Sequence, residues 1–180
     1  DCDLDLAVQE CVLGSLSFNG QRCTALKMLF IHEDIVDEFN KRYVKKIEEL
    51  RYGLPWEEGV NLTPLPEPDK PQYIAELVDD ACEKGAKLIN ENGGKSFHSF
   101  VYPAVLYPVK DDMRVFHEEQ FGPVIPIIPF NNIQQPIDAI VNSNYGQQVS
   151  LFSSDPDTLA PLIDGLVNQV CRVNINSQCQ

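Results

Sequence analysis

Long hydrophobic runs are missing from this sequence. No stretch approaches the roughly 20 apolar residues that span a bilayer, and the longest, Val124 to Phe130, is interrupted by Pro126 and Pro129. No membrane association is therefore expected. Basic residues are scarce too, 14 Lys and Arg against 27 Asp and Glu, which gives a formal net charge of -13. Such a field repels phosphate backbones, and the cations are scattered rather than gathered into a stripe, which argues against nucleic acid as a partner. The same field opposes a phosphorylated small molecule unless a local group of cations overcomes the overall sign. Paired C-x-x-C spacing is absent among the six cysteines, Cys2, Cys11, Cys23, Cys82, Cys171 and Cys179, so no metal site is expected. A signal-peptide pattern is absent as well, which predicts free thiols in a reducing compartment and a cytoplasmic location.

What remains is the composition of a globular protein. With 180 residues and a 43% hydrophobic share, the chain can form one sizeable core. It opens at Asp1 without an initiator methionine and already in a helical pattern, which predicts a piece of a longer protein.

From Asp3, the residues Leu4, Ala7, Val8, Cys11, Val12 and Leu16 recur at helical spacing, and Gly20 closes that helix. TALKMLFI, Thr24 to Ile31, is short, bounded and apolar, and predicts a buried strand. A second amphipathic helix is expected from about Asp34 to Leu50. Five prolines between Gly53 and Pro71 predict a long irregular loop. A third helix is expected over about 72–84, with Gly85 as its stop. Strands are expected at Ala86 to Ile89, Phe100 to Tyr107 and Val124 to Phe130. Beyond them come a helix around Ile133 to Val141, a strand at Gln148 to Phe152, a helix started by Asp155 and Pro156, and a strand at Val170 to Ile175. Alternating strands and helices predict a three-layer α/β/α domain with a mostly parallel sheet and ligands near the strand ends.

Two strings carry candidate chemistry. In FNGQRCTALK, Cys23 stands at the junction between a glycine-stopped helix and an apolar segment, and Arg22 beside it favours a thiolate. Composition alone favours a buried structural thiol. A cysteine peptidase would need His32, His98 or His117 to reach Cys23, and none sits at a diagnostic offset. In HEEQFGPVIPI, the carboxylates Glu118 and Glu119 precede an aromatic and a rigid Gly-Pro bend. A carboxylate there can accept two hydrogen bonds from vicinal ribose hydroxyls, and Phe121 offers a flat face to a ring. Taken alone, that string is better explained as a solvated acidic loop with an aromatic core anchor.

Together, GQRCTA followed by EEQFGPV resembles the aldehyde dehydrogenase superfamily, and NSNYG (Asn142 to Gly146) fits the same pattern. The resemblance covers the whole chain. It implies the family's catalytic domain, residues 1–180, without the dinucleotide-binding domain or the oligomerisation strand. It makes Cys23 the nucleophile, Glu119 the residue that binds the nicotinamide ribose, and Phe121 the residue against the nicotinamide. The family's general base, a glutamate in an E-L-G-G segment, and its oxyanion-holding asparagine match nothing in these residues.

Within the superfamily, FNGQRCTALK, LTPL, DACEKGA and DDMRVFHEEQFGPVIPI are most similar to the NADP-dependent, non-phosphorylating glyceraldehyde-3-phosphate dehydrogenases. That likeness implies NADP, or NAD, as cofactor and a small aldehyde as substrate, with Arg22 holding its phosphate. Asn176 matches an asparagine at the end of the family's last strand and is a candidate for substrate binding. Semialdehyde dehydrogenases also carry an arginine before the cysteine, and a non-catalytic domain that kept the fold is a third alternative. A homodimer or homotetramer is expected of the complete protein. Gln147 departs from the leucine usual after Tyr-Gly.

Overall fold

A computed structural model describes residues 1–178 of the chain. Its framework is a four-stranded sheet in the order β1 (Leu29–His32), β6 (Val124–Phe130), β5 (Ala104–Tyr107), β2 (Lys87–Leu88). The β1/β6 and β6/β5 pairs are parallel, and β2 runs antiparallel to β5 at the edge. Between β2 and β5 lies only a small antiparallel hairpin, β3 (Ser96–Phe97) with β4 (Phe100–Val101), so no helical crossover forces β2 to be parallel.

Alternation along the central strands sorts their side chains onto two faces. Ile125, Ile127 and Val105 pack with α1 (Leu4–Leu16) and α2 (Val36–Glu48), while Val124, Ile128, Ala104 and Leu106 pack with α3 (Lys70–Glu83). Two cores on opposite faces of one sheet make the three layers that the order of elements predicts. Asp3 caps α1, its carboxylate accepting the N–H groups of Asp5 and Leu6. Within α2, Phe39 stacks on Tyr43 at 5.3 Å, and the fully buried Tyr43 hydroxyl meets Ser15 of α1 at 2.5 Å. Beyond β6, α5 (Gln134–Val141), β7 (Gln148–Leu151), α6 (Pro156–Leu166) and β8 (Arg172–Ile175) form a third cluster around Leu151, Leu159 and Leu166. There β7 and β8 pair in parallel as a separate two-stranded sheet.

Several boundaries differ from the sequence expectations, each for a local reason. The strand read at Thr24 begins only at Leu29, because Ala25 closes a turn onto Arg22 and Leu26 donates to the Gly14 carbonyl of α1. Residues 24–28 are thus an irregular arm. Pro103 splits the strand read at Phe100, and Asn90 bridges the break by donating to the Pro103 carbonyl and accepting from the Val105 N–H. Helix α3 starts at Lys70, with Pro71 in its first turn, where a missing N–H is harmless. The polar stretch before Gln120 holds one helical turn, α4 (Arg114–His117). Among the described residues no helix is long and apolar enough to cross a membrane. Cys179 lies outside the described residues.

Candidate active site

The segment that carries Cys23 leaves α1 through three successive residues in the left-handed region: Phe18 (φ 53°), Asn19 (φ 58°) and Gly20 (φ 72°). Such a turn is disfavoured for L-residues by about 1–2 kcal/mol each, least for Asn and Gly, and is kept only where the surroundings fix it. Here they do. A Cβ on Gly20 would lie 2.6 Å from the Gly122 carbonyl oxygen and 2.8 Å from that of Ser15, so the two motif segments touch backbone to backbone. The buried Asn19 amide donates to Thr63 Oγ1 at 3.0 Å and accepts the Thr63 N–H at 2.9 Å. One residue pair further, Gln21 donates to Glu67 at 2.7 Å. The proline-rich loop is therefore a brace for the segment that carries Cys23, with Leu62 and Leu65 buried to anchor it.

Asn19→Ala removes both bonds to Thr63 and replaces asparagine, which tolerates the left-handed region, with alanine, which does not. We expect about 2–3 kcal/mol of lost stability, read as a lowered urea midpoint with an unchanged slope.

Cys23 itself sits exposed on the Arg22–Ala25 turn. No hydrogen bond among the described residues joins it to His32, His98 or His117, so the arrangement a cysteine peptidase needs is not formed. No group of His, Cys, Asp and Glu among the described residues could hold a metal ion.

The paired carboxylates of the second segment have different fates. Glu118 is engaged by Arg114 through Nε at 2.6 Å and Nη2 at 3.1 Å, and by the Tyr73 hydroxyl at 3.1 Å. Arg114 holds its carboxyl below the usual range, while burial and then Glu118 push the Tyr73 hydroxyl up to about 12. Glu119 accepts no hydrogen bond among the described residues, so its oxygens are open to a ligand's hydroxyls. Glu119 and Cys23 both line one open hollow of about 910 Å³, which also takes in Tyr145 and Gln147. Gln147 is exposed there, which explains why an amide is tolerated in place of leucine.

Phe121, Arg22 and Asn176 do not line this hollow. The Arg22 guanidinium lies 6.0 Å from the Phe18 ring centroid. Asn176 is occupied at the end of β8, its amide donating to the Ser153 carbonyl at 2.9 Å and accepting the Ser153 N–H at 3.1 Å. Phe121 lies beside the hollow, with the Lys27 ammonium 4.3 Å from its ring centroid.

Lys27 is what the sequence reading passed over. Its ammonium donates to the carbonyls of Gly20 and Gln120, each at 2.7 Å, and the buried Gln120 side chain donates back to the Lys27 carbonyl at 2.8 Å. The available signal was a lone cation inside the apolar run TALKMLFI.

With this geometry in view, the comparisons with known proteins are decisive. The model of the aldehyde dehydrogenase family matches residues 1–180. This chain belongs to the aldehyde dehydrogenase family. Among curated relatives of the dehydrogenase chain, the NADP-dependent glyceraldehyde-3-phosphate dehydrogenase of Pisum sativum is 33% identical over 174 residues, 97% of this chain and 34% of that protein. A solved NADP-dependent glyceraldehyde-3-phosphate dehydrogenase of Bacillus halodurans, complexed with NADP, superposes with a TM-score of 0.93 at 35% identity, covering 100% of this chain and 37% of that one. Succinate-semialdehyde dehydrogenase from Burkholderia pseudomallei gives 0.92 at 31%, covering 98% and 36%. This aldehyde dehydrogenase chain thus spans about a third of the length of the relatives it matches.

Proposed function

We propose that the chain is the catalytic part of an NADP-dependent aldehyde dehydrogenase that oxidises glyceraldehyde 3-phosphate to 3-phosphoglycerate without inorganic phosphate. The observation that carries this reading is the meeting of an exposed Cys23 and an unengaged Glu119 at one hollow, on two segments in backbone contact. The relatives in the comparisons support the choice of substrate.

The Cys23 sulfur, as thiolate, adds to the aldehyde carbonyl, and the Cys23 N–H donates to the oxyanion that forms. A nicotinamide held by Glu119 and Phe121 would supply the hydride acceptor, and loss of hydride from the thiohemiacetal carbon leaves a thioester on Cys23. Water then cleaves the thioester, with the base for that water coming from a part of the enzyme outside these residues. Glu119 would hold the nicotinamide ribose through its free carboxylate, and Phe121 would shape the edge of the nicotinamide site. The free carboxylate fits vicinal hydroxyls, which the fully engaged Glu118 does not.

Arg22 answers the electrostatic problem of a protein with a net charge of -13. With Lys27 and Lys70, whose fields it shares, it makes a local positive region beside Cys23. That region suits an anionic aldehyde. The semialdehyde dehydrogenase structure, nearly as similar, favours a carboxylate in the same role as a second reading. Arg22→Leu in the full-length enzyme separates the two. A selective loss of kcat/KM with the phosphorylated aldehyde, about tenfold to a hundredfold for a lost charge-assisted contact, supports the first. An equal loss on all aldehydes removes it.

A further inference from the structure

The geometry points to Lys27 as a positioning residue, the tie that fastens the nucleophile segment to the Glu119–Phe121 segment so that both present their chemistry in one register. This inference rests on the catalytic reading above only for its kinetic consequence. The tie itself is visible in the fold. Lys27 stands at the only place in the arm of residues 24–28 where a side chain bonds both segments, through the carbonyls of Gly20, before Cys23, and Gln120, between Glu119 and Phe121. Gln120 returns a bond to the Lys27 carbonyl, which makes the connection reciprocal. The ammonium also lies against the Phe121 ring, where the attraction of a cation for an aromatic face fixes the ring's position.

Charge makes the tie strong, since hydrogen bonds from an ion are worth about twice neutral ones. Burial pulls Lys27 down from 10.5 to about 8, opposed by the charges of Glu119 and Cys23 and assisted by Lys70 and Arg22. The ammonium is therefore present at neutral pH. Because the unfolded chain holds that proton up to a higher pH, the charge on Lys27 costs stability below about pH 8, and that cost fades as pH rises from about 8 toward 10.5. A lysine kept there against its own burial cost serves the site rather than the fold.

Hydrogen exchange of the chain, read by mass spectrometry, tests the tie without any substrate. In Lys27→Met, peptides covering residues 18–27 and 118–123 are expected to exchange together at least about tenfold faster, with β1 and β5 unchanged, and Lys27→Arg to recover most of the protection. If Lys27→Met does not fold, Gln120→Met carries the same test from the other side of the tie. Exchange in both segments that matches the wild type overturns the inference. So does loosening of only one segment, or loosening throughout the fold. In the full-length enzyme Lys27→Met is expected to lower kcat about tenfold or more, with the KM of an uncharged aldehyde within twofold and a larger deuterium isotope effect from the misaligned hydride transfer. A wild-type enzyme that oxidises no aldehyde would remove the catalytic reading, while the exchange result still decides the tie.

Discussion

Cys23→Ser is expected to abolish aldehyde oxidation in the full-length enzyme, with kcat down on the order of a thousandfold or more. The argument is chemical. A thiol reaches its nucleophilic anion near neutral pH, whereas a serine hydroxyl needs a base in hydrogen-bond reach. No histidine is hydrogen-bonded to residue 23 among the described residues, so serine inherits an exposed turn and no activation. The exposed side chain contributes little packing, so the thermal midpoint of the variant should match that of the wild type. NADPH formation followed by absorbance checks the claim, and activity within tenfold of the wild type would refute the nucleophile assignment.

Gly20→Ala is expected to damage fold and site together. The residue has φ 72°, and its new Cβ would meet two backbone oxygens, of Gly122 at 2.6 Å and Ser15 at 2.8 Å. The left-handed conformation alone costs a non-glycine residue about 1–2 kcal/mol. Neither backbone oxygen can swing aside as a flexible side chain would, so the two segments must separate. A total of at least about 2 kcal/mol follows, which for a chain of this size lowers the melting temperature by about 4–8 °C. The separation also breaks the Lys27 bond to Gly20, so the loss of activity should exceed what the loss of stability explains. Calorimetry and steady-state rates on the same sample check both, and a variant with an unchanged melting temperature would contradict the close approach.

Much of this architecture could be read from residues alone, because its signals are local. The amphipathic spacing in α1, α2 and α3 placed those helices, and the apolar stretch of β6 coincides with the observed strand, Val124–Phe130, in spite of its two prolines. The family segments around Cys23 and Glu119 could likewise be recognised without coordinates.

What escaped was long-range. Residues 24–28 carry the composition of a strand, yet bonds from Leu26 to Gly14 and from Lys27 to Gly20 and Gln120 hold them as an arm. Gln120 lies far along the chain from Lys27, and no spacing rule pairs them. The proline-rich stretch read only as a loop, because the partners that give it a task, Asn19 with Thr63 and Gln21 with Glu67, are also distant in sequence. The unequal roles of Glu118 and Glu119 could not be told from their adjacency. They follow from Arg114 and Tyr73, brought to Glu118 by α4 and α3.

Substrate preference in the full-length enzyme tests the central claim most directly. NADPH formation would be followed with glyceraldehyde 3-phosphate and with unphosphorylated aldehydes and semialdehydes, in the absence of inorganic phosphate. The account predicts turnover that favours the phosphorylated aldehyde by kcat/KM and proceeds to the free acid. Turnover of semialdehydes with none of glyceraldehyde 3-phosphate would contradict it.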